Sequence, residues 1–217
     1  MKIAVLVFLT VSLSAHADWT SMKPQDFRLA APPAAGSLEE KKDHDTLLDE
    51  QKRRDYGACV LGNYHTLPTF GLLFGPGAGV VSADILTFEE YYSVRTVMKK
   101  VFKLTTNLAY AFKNHFKRPR PYQIVKDLQP CLVKPGYDES YPSGHAALGA
   151  IGGCLLAQRF PDKAYYLEQQ GRIVGDLRVI GGVHNPSDVV AGQSLARQIC
   201  DRLLSNPAFR RDFGLTR

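Results

Sequence analysis

Two short runs of this sequence combine a histidine with residue types that begin helices. They are residues 141–145, Tyr-Pro-Ser-Gly-His, and residues 184–188, His-Asn-Pro-Ser-Asp. Pro142 and Pro186 suit the first turn of a helix, where a missing N–H costs nothing, and serine or asparagine caps such turns. A helix N-terminus offers unpaired N–H groups and a partial positive charge. Two such helix starts that converge would bind an anion beside two histidines.

Three basic residues could complete this anion site: Lys113, Arg120 and Arg178. With two histidines and a carboxylate they predict phosphoryl transfer without a metal, because cations and N–H donors stabilise the negative charge of the transferring group. A neutral histidine can attack phosphorus when its other nitrogen donates to a carboxylate, which suits His184 and Asp188. His145 would then protonate the departing oxygen. No Cys/His pair has zinc spacing, and we expect neither a metal nor another cofactor.

The spacing of these residues resembles the three-part signature of the phosphatidic acid phosphatase type 2 superfamily, and in particular of the bacterial class A non-specific acid phosphatases. Six residues separate Lys113 from Arg120-Pro121, and Pro142-Ser143-Gly144-His145 follows. Five residues then separate Arg178 from His184, and three separate His184 from Asp188. The resemblance implies an all-α fold and metal-free hydrolysis through a phosphohistidine. It also implies that His184 is the nucleophile, that Asp188 orients it and that His145 is the general acid. The five phosphate-binding groups that it implies are Lys113, Arg120, Ser143, Gly144 and Arg178.

One position departs from the family pattern. The family usually has serine before the arginine of the third motif, where this chain has Leu177. We expect the lost hydroxyl to reduce the efficiency of the phosphate site without removing a catalytic group.

Other polar residues near the motifs are of types that are common on protein surfaces. We assign no role to four of them: Lys117, Arg118, His115 and His65. The charge run 39–45 is interpreted as the solvated face of a helix, and Tyr141 as a residue at the entrance of the site.

The composition predicts one buried domain and a basic surface. The chain has 217 residues, 45% of them hydrophobic, and a formal net charge of +6. Such a charge attracts phosphorylated substrates, anionic lipid surfaces or nucleic acid. Because the basic residues form neither a recognition helix nor an aromatic-basic repeat, we expect no nucleic-acid partner.

Residues 1–17 have the three parts of a secretory signal peptide: a lysine, an apolar run from Ile3 to Leu13, and Ala-His-Ala at 15–17. We therefore predict cleavage after Ala17 and a periplasmic or secreted protein. Export permits disulfides among Cys59, Cys131, Cys154 and Cys200. We expect at least one, involving Cys131, and interpret Cys154 as a small core residue; the pairing stays open, since four cysteines allow three pairings.

Apolar periodicity and capping patterns predict helices throughout, with no strand. The first expected helix covers 38 to about 54 and resumes through 59–61. The others cover 83–95, 97–116, 143–159, 162–180 and 187–204. We expect a loop or short helix at 62–79 and an extended loop at 118–140. The glycine-rich helix 143–159 would lie in the middle of a bundle. The predicted organisation is a signal peptide (1–17), an irregular arm (18–36) and an all-α helical phosphatase domain (37–217).

The leading interpretation is a broad-specificity phosphomonoesterase that acts on small organic phosphates. Its enzymatic alternatives are a lipid-phosphate or lipid-linked diphosphate phosphatase and, more distantly, a vanadate-dependent peroxidase. From another class comes a phosphate-binding protein without turnover. No stretch after the signal peptide is long and apolar enough for an integral membrane span, and a homo-oligomer is compatible with the sequence.

Overall fold

The computed structural model describes residues 18–78, 85–134 and 139–215, and these residues form an all-α fold without strands. In these described ranges, nine α-helices follow one another: α1 Leu38–Arg53, α2 Tyr56–Tyr64, α3 Phe70–Phe74, α4 Phe88–Phe116, α5 Pro121–Ile124, α6 Gly144–Arg159, α7 Ala164–Ile180, α8 Pro186–Leu204 and α9 Pro207–Asp212. Short 3-10 turns lie at Pro24–Asp26 and Pro161–Lys163. The predicted fold class is confirmed.

Helix α6 is the centre of the bundle and contacts α4, α7 and α8. Its alanines and glycines let neighbouring backbones approach closely. A Cβ on Gly149 would collide with the carbonyl of Gly171 in α7, and one on Gly192 of α8 would collide with the carbonyl of Ser143. These close approaches place the start of α8 beside the start of α6.

Helix α4 is one continuous helix, so the prediction of two helices at 83–95 and 97–116 is wrong; residues 83 and 84 lie outside the described residues. No glycine or proline occurs between 88 and 116. The apolar residues Phe88 and Tyr92 are exposed and do not belong to the buried face of the helix. The buried face runs instead through Val94, Met98 and Val101 at helical spacing. The helix therefore continues through residue 96 without a break.

The other helix boundaries largely agree with the predictions. The loop predicted at 118–140 contains the four-residue helix α5, which Pro121 starts. The helix predicted at 162–180 begins with a 3-10 turn, and α7 follows this turn. Helix α9 was not predicted; Asn206 caps it by accepting from the N–H groups of Ala208 and Phe209.

Both pairs of cysteines are disulfide-bonded, Cys59 to Cys131 and Cys154 to Cys200. The prediction of a disulfide at Cys131 is confirmed, whereas the interpretation of Cys154 as a small core residue is wrong. The first bond joins α2 to the segment after α5, and the second joins α6 to α8.

Residues 18–36 lie against α8, α9 and the start of α6. Trp19 donates to Asp212 at 2.9 Å, and the Tyr141 hydroxyl donates to the Ala30 carbonyl at 2.6 Å. The predicted signal peptide lies outside the described residues. Within the described ranges, no helix combines the length and the apolar character that crossing a bilayer requires.

Candidate active site

A cleft of about 730 Å³ opens beside the starts of α5 and α6. It is lined by six of the eight predicted site residues: Lys113, Arg120, Gly144, His145, Arg178 and His184. The other two, Ser143 and Asp188, are buried behind it. Residues from α4, α5, α6, α7 and the α7–α8 loop therefore meet at one place.

Three buried cations form the floor of the cleft. Lys113, in the last turn of α4, donates to the carbonyls of Glu139 and Ser140. Arg120 donates to the Val183 carbonyl at 2.8 Å. Arg178 donates to the carbonyl of Gly62 in α2.

Arg178 keeps its positive charge at neutral pH although it is buried. Burial, with Arg120 nearby, lowers the pKa of Arg178 to about 10. Its Nε is buried and has no hydrogen-bond partner within the described part of the chain. Since an unpaired buried donor is costly, this N–H suits an anion in the cleft.

The hydrogen bonds of His184 define its protonation. Arg120 Nη1 lies 2.8 Å from His184 Nε2, and a guanidinium can only donate. Nε2 therefore carries the lone pair and Nδ1 the proton. Nδ1 lies 3.4 Å from Asp188 Oδ2. Burial, then Arg120 and Lys113, lower the pKa of His184 well below its usual value. The ring is thus neutral and presents Nε2 to the cleft, as a nucleophile requires.

His145 lies in the first turn of α6, and its Nε2 is 3.0 Å from the carbonyl oxygen of His65. Burial, followed by Arg178, lowers the pKa of His145 well below its usual value, although the backbone acceptors at His65 and Thr66 oppose the shift. Without a bound anion, this ring is therefore neutral near neutral pH. A general acid at this position would have to gain its proton when the substrate binds.

The two helix starts converge, but only one of them faces the cleft. The Ser143 N–H donates to the Asp188 carbonyl at 2.8 Å, which joins the start of α6 to that of α8. At α8, carboxylates already accept from the first N–H groups: Asp188 from Asn185 at 2.7 Å, and Asp43 from Ser187 at 3.1 Å. The expectation that both helix starts hold the anion is therefore wrong. The start of α6, at Gly144, borders the cleft.

Ser143 serves first as a cap. Its Oγ accepts from the Ala146 N–H at 3.3 Å, and its side chain is buried outside the cleft lining. Leu177, which replaces the serine usual in the family, is buried on α7 beside Arg178.

Comparison with known families gives this site its context. A family model, the PAP2 superfamily, matches residues 101–200, which contain every predicted site residue. Over residues 101–200 the chain is therefore similar to the PAP2 superfamily.

Curated proteins similar to the chain include phosphatases of more than one kind. An acid phosphatase of Zymomonas mobilis is 38% identical over 109 residues, which cover 48% of this chain and 41% of that protein. A non-specific acid phosphatase of Salmonella typhimurium is 31% identical over 134 residues, 62% of this chain and 49% of that protein. An undecaprenyl-diphosphatase of Sulfolobus acidocaldarius is 31% identical over 120 residues, 55% of this chain and 58% of that protein. The chain thus spans about half the length of these relatives.

The fold is similar to that of a solved PAP2 protein. The crystal structure of a transmembrane PAP2 type phosphatidylglycerolphosphate phosphatase from Bacillus subtilis superposes with a TM-score of 0.55 at 20% sequence identity. The match covers 77% of this chain and 85% of that one. At this identity the likeness concerns the helical architecture.

Behind the cleft lie residues to which no function was assigned from the sequence. Arg118 and Asp43 are buried and form ion pairs around Asp188, so their interpretation as surface residues is wrong. Only two features of the sequence indicated that these residues lie near the site. Arg118 is two residues before Arg120, and Asp43 shares one helix face with Leu47. Ser140, also buried, donates to Asp188.

Two further interpretations need correction. His65 is buried, and burial with Arg178 lowers its pKa to about 4. Tyr141 is buried against Phe116 and does not line the entrance. Burial of the Tyr141 hydroxyl, and to a smaller extent the negative charge of Asp188, raises the pKa of Tyr141 to about 12.

In the ranges that the structure describes, no three His, Cys, Asp or Glu side chains lie close enough to hold a metal ion.

Proposed function

We propose that the chain is a phosphomonoesterase of the acid phosphatase type that works through a phosphohistidine and without a metal. The observation that carries the proposal is the environment of His184, whose Nδ1 faces Asp188 and whose Nε2 faces the cationic cleft. From the sequence, we further propose that it is exported to the periplasm or secreted.

In the first half-reaction, Lys113, Arg120 and Arg178 bind the phosphoryl oxygens together with the N–H groups at the start of α6. When Arg120 donates to the phosphate, His184 Nε2 is released with its lone pair. Nε2 attacks phosphorus, and the bond from phosphorus to the ester oxygen breaks. His145, protonated in the complex, gives its proton to that oxygen, and the alcohol leaves.

In the second half-reaction, the now neutral His145 takes a proton from water, which attacks phosphorus and breaks the P–N bond. Inorganic phosphate leaves, and His184 returns to its neutral form. Asp188 stabilises the positive charge that His184 carries in the phosphoenzyme.

Labelled substrate and rapid quenching in alkaline denaturant, in which a phosphohistidine survives, test this mechanism. Wild-type protein should form a base-stable, acid-labile phosphoenzyme and release phosphate, whereas His184→Ala should do neither. A protein that binds phosphate but shows no turnover on a panel of phosphomonoesters would instead be the binding protein considered above. A phosphoenzyme in His184→Ala would refute the assignment of the nucleophile.

An apolar entrance favours a second candidate, hydrolysis of lipid phosphates or lipid-linked diphosphates. Three cleft-lining side chains are largely exposed: Leu67 (70%), Val133 (65%) and Tyr110 (50%). The match to a relative named undecaprenyl-diphosphatase points the same way. Rates on glycerol phosphate and on phosphatidic acid in detergent micelles separate the two candidates. A Leu67→Ser change should reduce activity on the lipid alone if the lipid is the better substrate.

A further inference from the structure

Asp188 is held by a buried ionic cluster that lies outside the cleft. Arg118 Nη1 donates to Asp188 Oδ1 and to Ser187 Oγ, each at 2.7 Å, and Arg118 Nη2 donates to Asp43 Oδ2 at 3.0 Å. Asp43 also accepts from the N–H and hydroxyl of Ser187. Asp43 is 6% exposed and Arg118 5% exposed.

The cluster determines which oxygen of Asp188 faces the histidine. Oδ1 is bound by Arg118, while Oδ2 accepts from the Asn185 N–H at 2.7 Å and from the Ser140 hydroxyl. With both oxygens bound, the carboxylate cannot rotate, and Oδ2 stays directed at His184 Nδ1.

The cluster also sets the charge behind the histidine. Arg118 paired with Asp188 alone would be neutral and would leave little negative charge for a phosphorylated His184. Asp43 supplies a second carboxylate, so the formal charges of the three side chains sum to −1. In a buried setting such a charge acts strongly on its neighbours.

We infer that Asp43 on α1, acting through Arg118, is a positioning residue for the histidine nucleophile: it neutralises Arg118, so that Asp188 keeps both its orientation and its negative charge for His184. This inference rests on the proposed function. Asp43 does not line the cleft, so it should affect the formation of the phosphoenzyme and not the binding of anions.

The test is a double-mutant cycle of Asp43→Asn and Asp188→Asn, with kcat and the rate of phosphoenzyme formation measured on an aryl phosphate. Asp43→Asn should lower kcat by about 10- to 100-fold, as expected for a small misplacement of a reacting group. The inhibition constant of sulfate, a competing dianion, should change by less than about twofold, because the cleft itself is intact. In the Asp188→Asn background, Asp43→Asn should add less than about threefold, since both changes act on one unit.

Asp45→Asn is the matched control, because Asp45 lies on the same helix, is exposed and pairs only with its neighbour Lys41 among the contacts described. It should retain wild-type kinetics. If Asp43→Asn does not fold, Ser187→Ala disturbs the same cluster more gently, and a selective fall in kcat is again expected.

Wild-type kcat in Asp43→Asn, or in Ser187→Ala if that is the variant used, would overturn the inference. A loss of sulfate affinity as large as the loss of kcat would also overturn it, because it would indicate general damage to the protein. So would independent effects in the cycle, in which the two substitutions lower kcat by factors that multiply. Absence of turnover in the wild-type protein would instead overturn the proposed function, and the inference with it.

Discussion

Binding of a dianion to the cleft should draw a proton onto His145. In the free protein, burial and Arg178 lower the pKa of His145 well below its usual value. A bound dianion brings two negative charges next to the ring and raises its pKa again. Between the free and bound pKa values, binding therefore takes up one proton, and the affinity for the dianion must rise as the pH falls.

The expected size follows from proton linkage. One proton taken up on binding changes the affinity by at most tenfold for each pH unit, or about 1.4 kcal/mol. Over the two units from about pH 7 to about pH 5, the limit is roughly 100-fold. His65 does not contribute in this range, because its pKa of about 4 lies below it.

Sulfate is a suitable probe because its charge stays constant over this range, unlike that of phosphate. Its inhibition constant should be measured against pH in the wild-type protein, in His145→Ala, and in His115→Ala, where an exposed histidine outside the cleft is removed. The wild type and His115→Ala should bind sulfate more tightly at lower pH, whereas His145→Ala should lose most of this dependence. A wild-type inhibition constant independent of pH would refute the electrostatic reasoning, and an unchanged slope in His145→Ala would place the proton on another group.

Three further expectations concern the chemistry and the stability of the chain. His145→Ala should lower kcat on alkyl phosphates by about 100- to 10,000-fold and on aryl phosphates much less, because an aryl leaving group needs less protonation; equal losses on both substrates would contradict its role as the acid. Turnover should persist in excess chelator and be inhibited competitively by vanadate, and activity that needs an added divalent metal would disprove the metal-free mechanism. Replacing Cys154 and Cys200 together by alanine should lower the free energy of unfolding by up to about 4 kcal/mol in urea titrations, since the bond closes a loop with a sequence separation of 46; a loss below about 1 kcal/mol would show that the loop is constrained in other ways.

Local patterns were sufficient to predict most helices and the residues of the cleft. Helices α1, α6, α7 and α8 carry strong caps or breaks at their ends, which depend on neighbouring residues alone. Ser37 caps α1 by accepting from the Glu40 N–H, as its capping-box pattern predicted. The cleft residues were found because three spaced motifs constrain one another, although their individual roles stay predictions.

What escaped prediction depends on contacts between distant parts of the chain. Asp43 looks like its exposed neighbours on a polar helix, and only the docking of α1 against the start of α8, 144 residues later, buries it. The continuity of α4 likewise depended on which face the bundle covers. Disulfide pairing was open because sequence order does not determine which helices adjoin.

The electrostatics of the cleft explain how two neighbouring histidines can perform opposite tasks. Burial and, after it, the nearby cations lower the pKa of both rings, so neither is charged in the empty site. For His184 the neutral ring is the reactive state in the proposed mechanism, and Arg120 and Asp188 hold the tautomer that this mechanism requires. For His145 it is the wrong state until the substrate's negative charge offsets the cations. Because the proton reaches His145 only with the substrate, the empty site does not have to hold a fourth positive charge next to Lys113, Arg120 and Arg178. In the proposed mechanism, the same cations that bind the phosphoryl group thus keep the proposed nucleophile neutral and make the proposed acid dependent on the substrate.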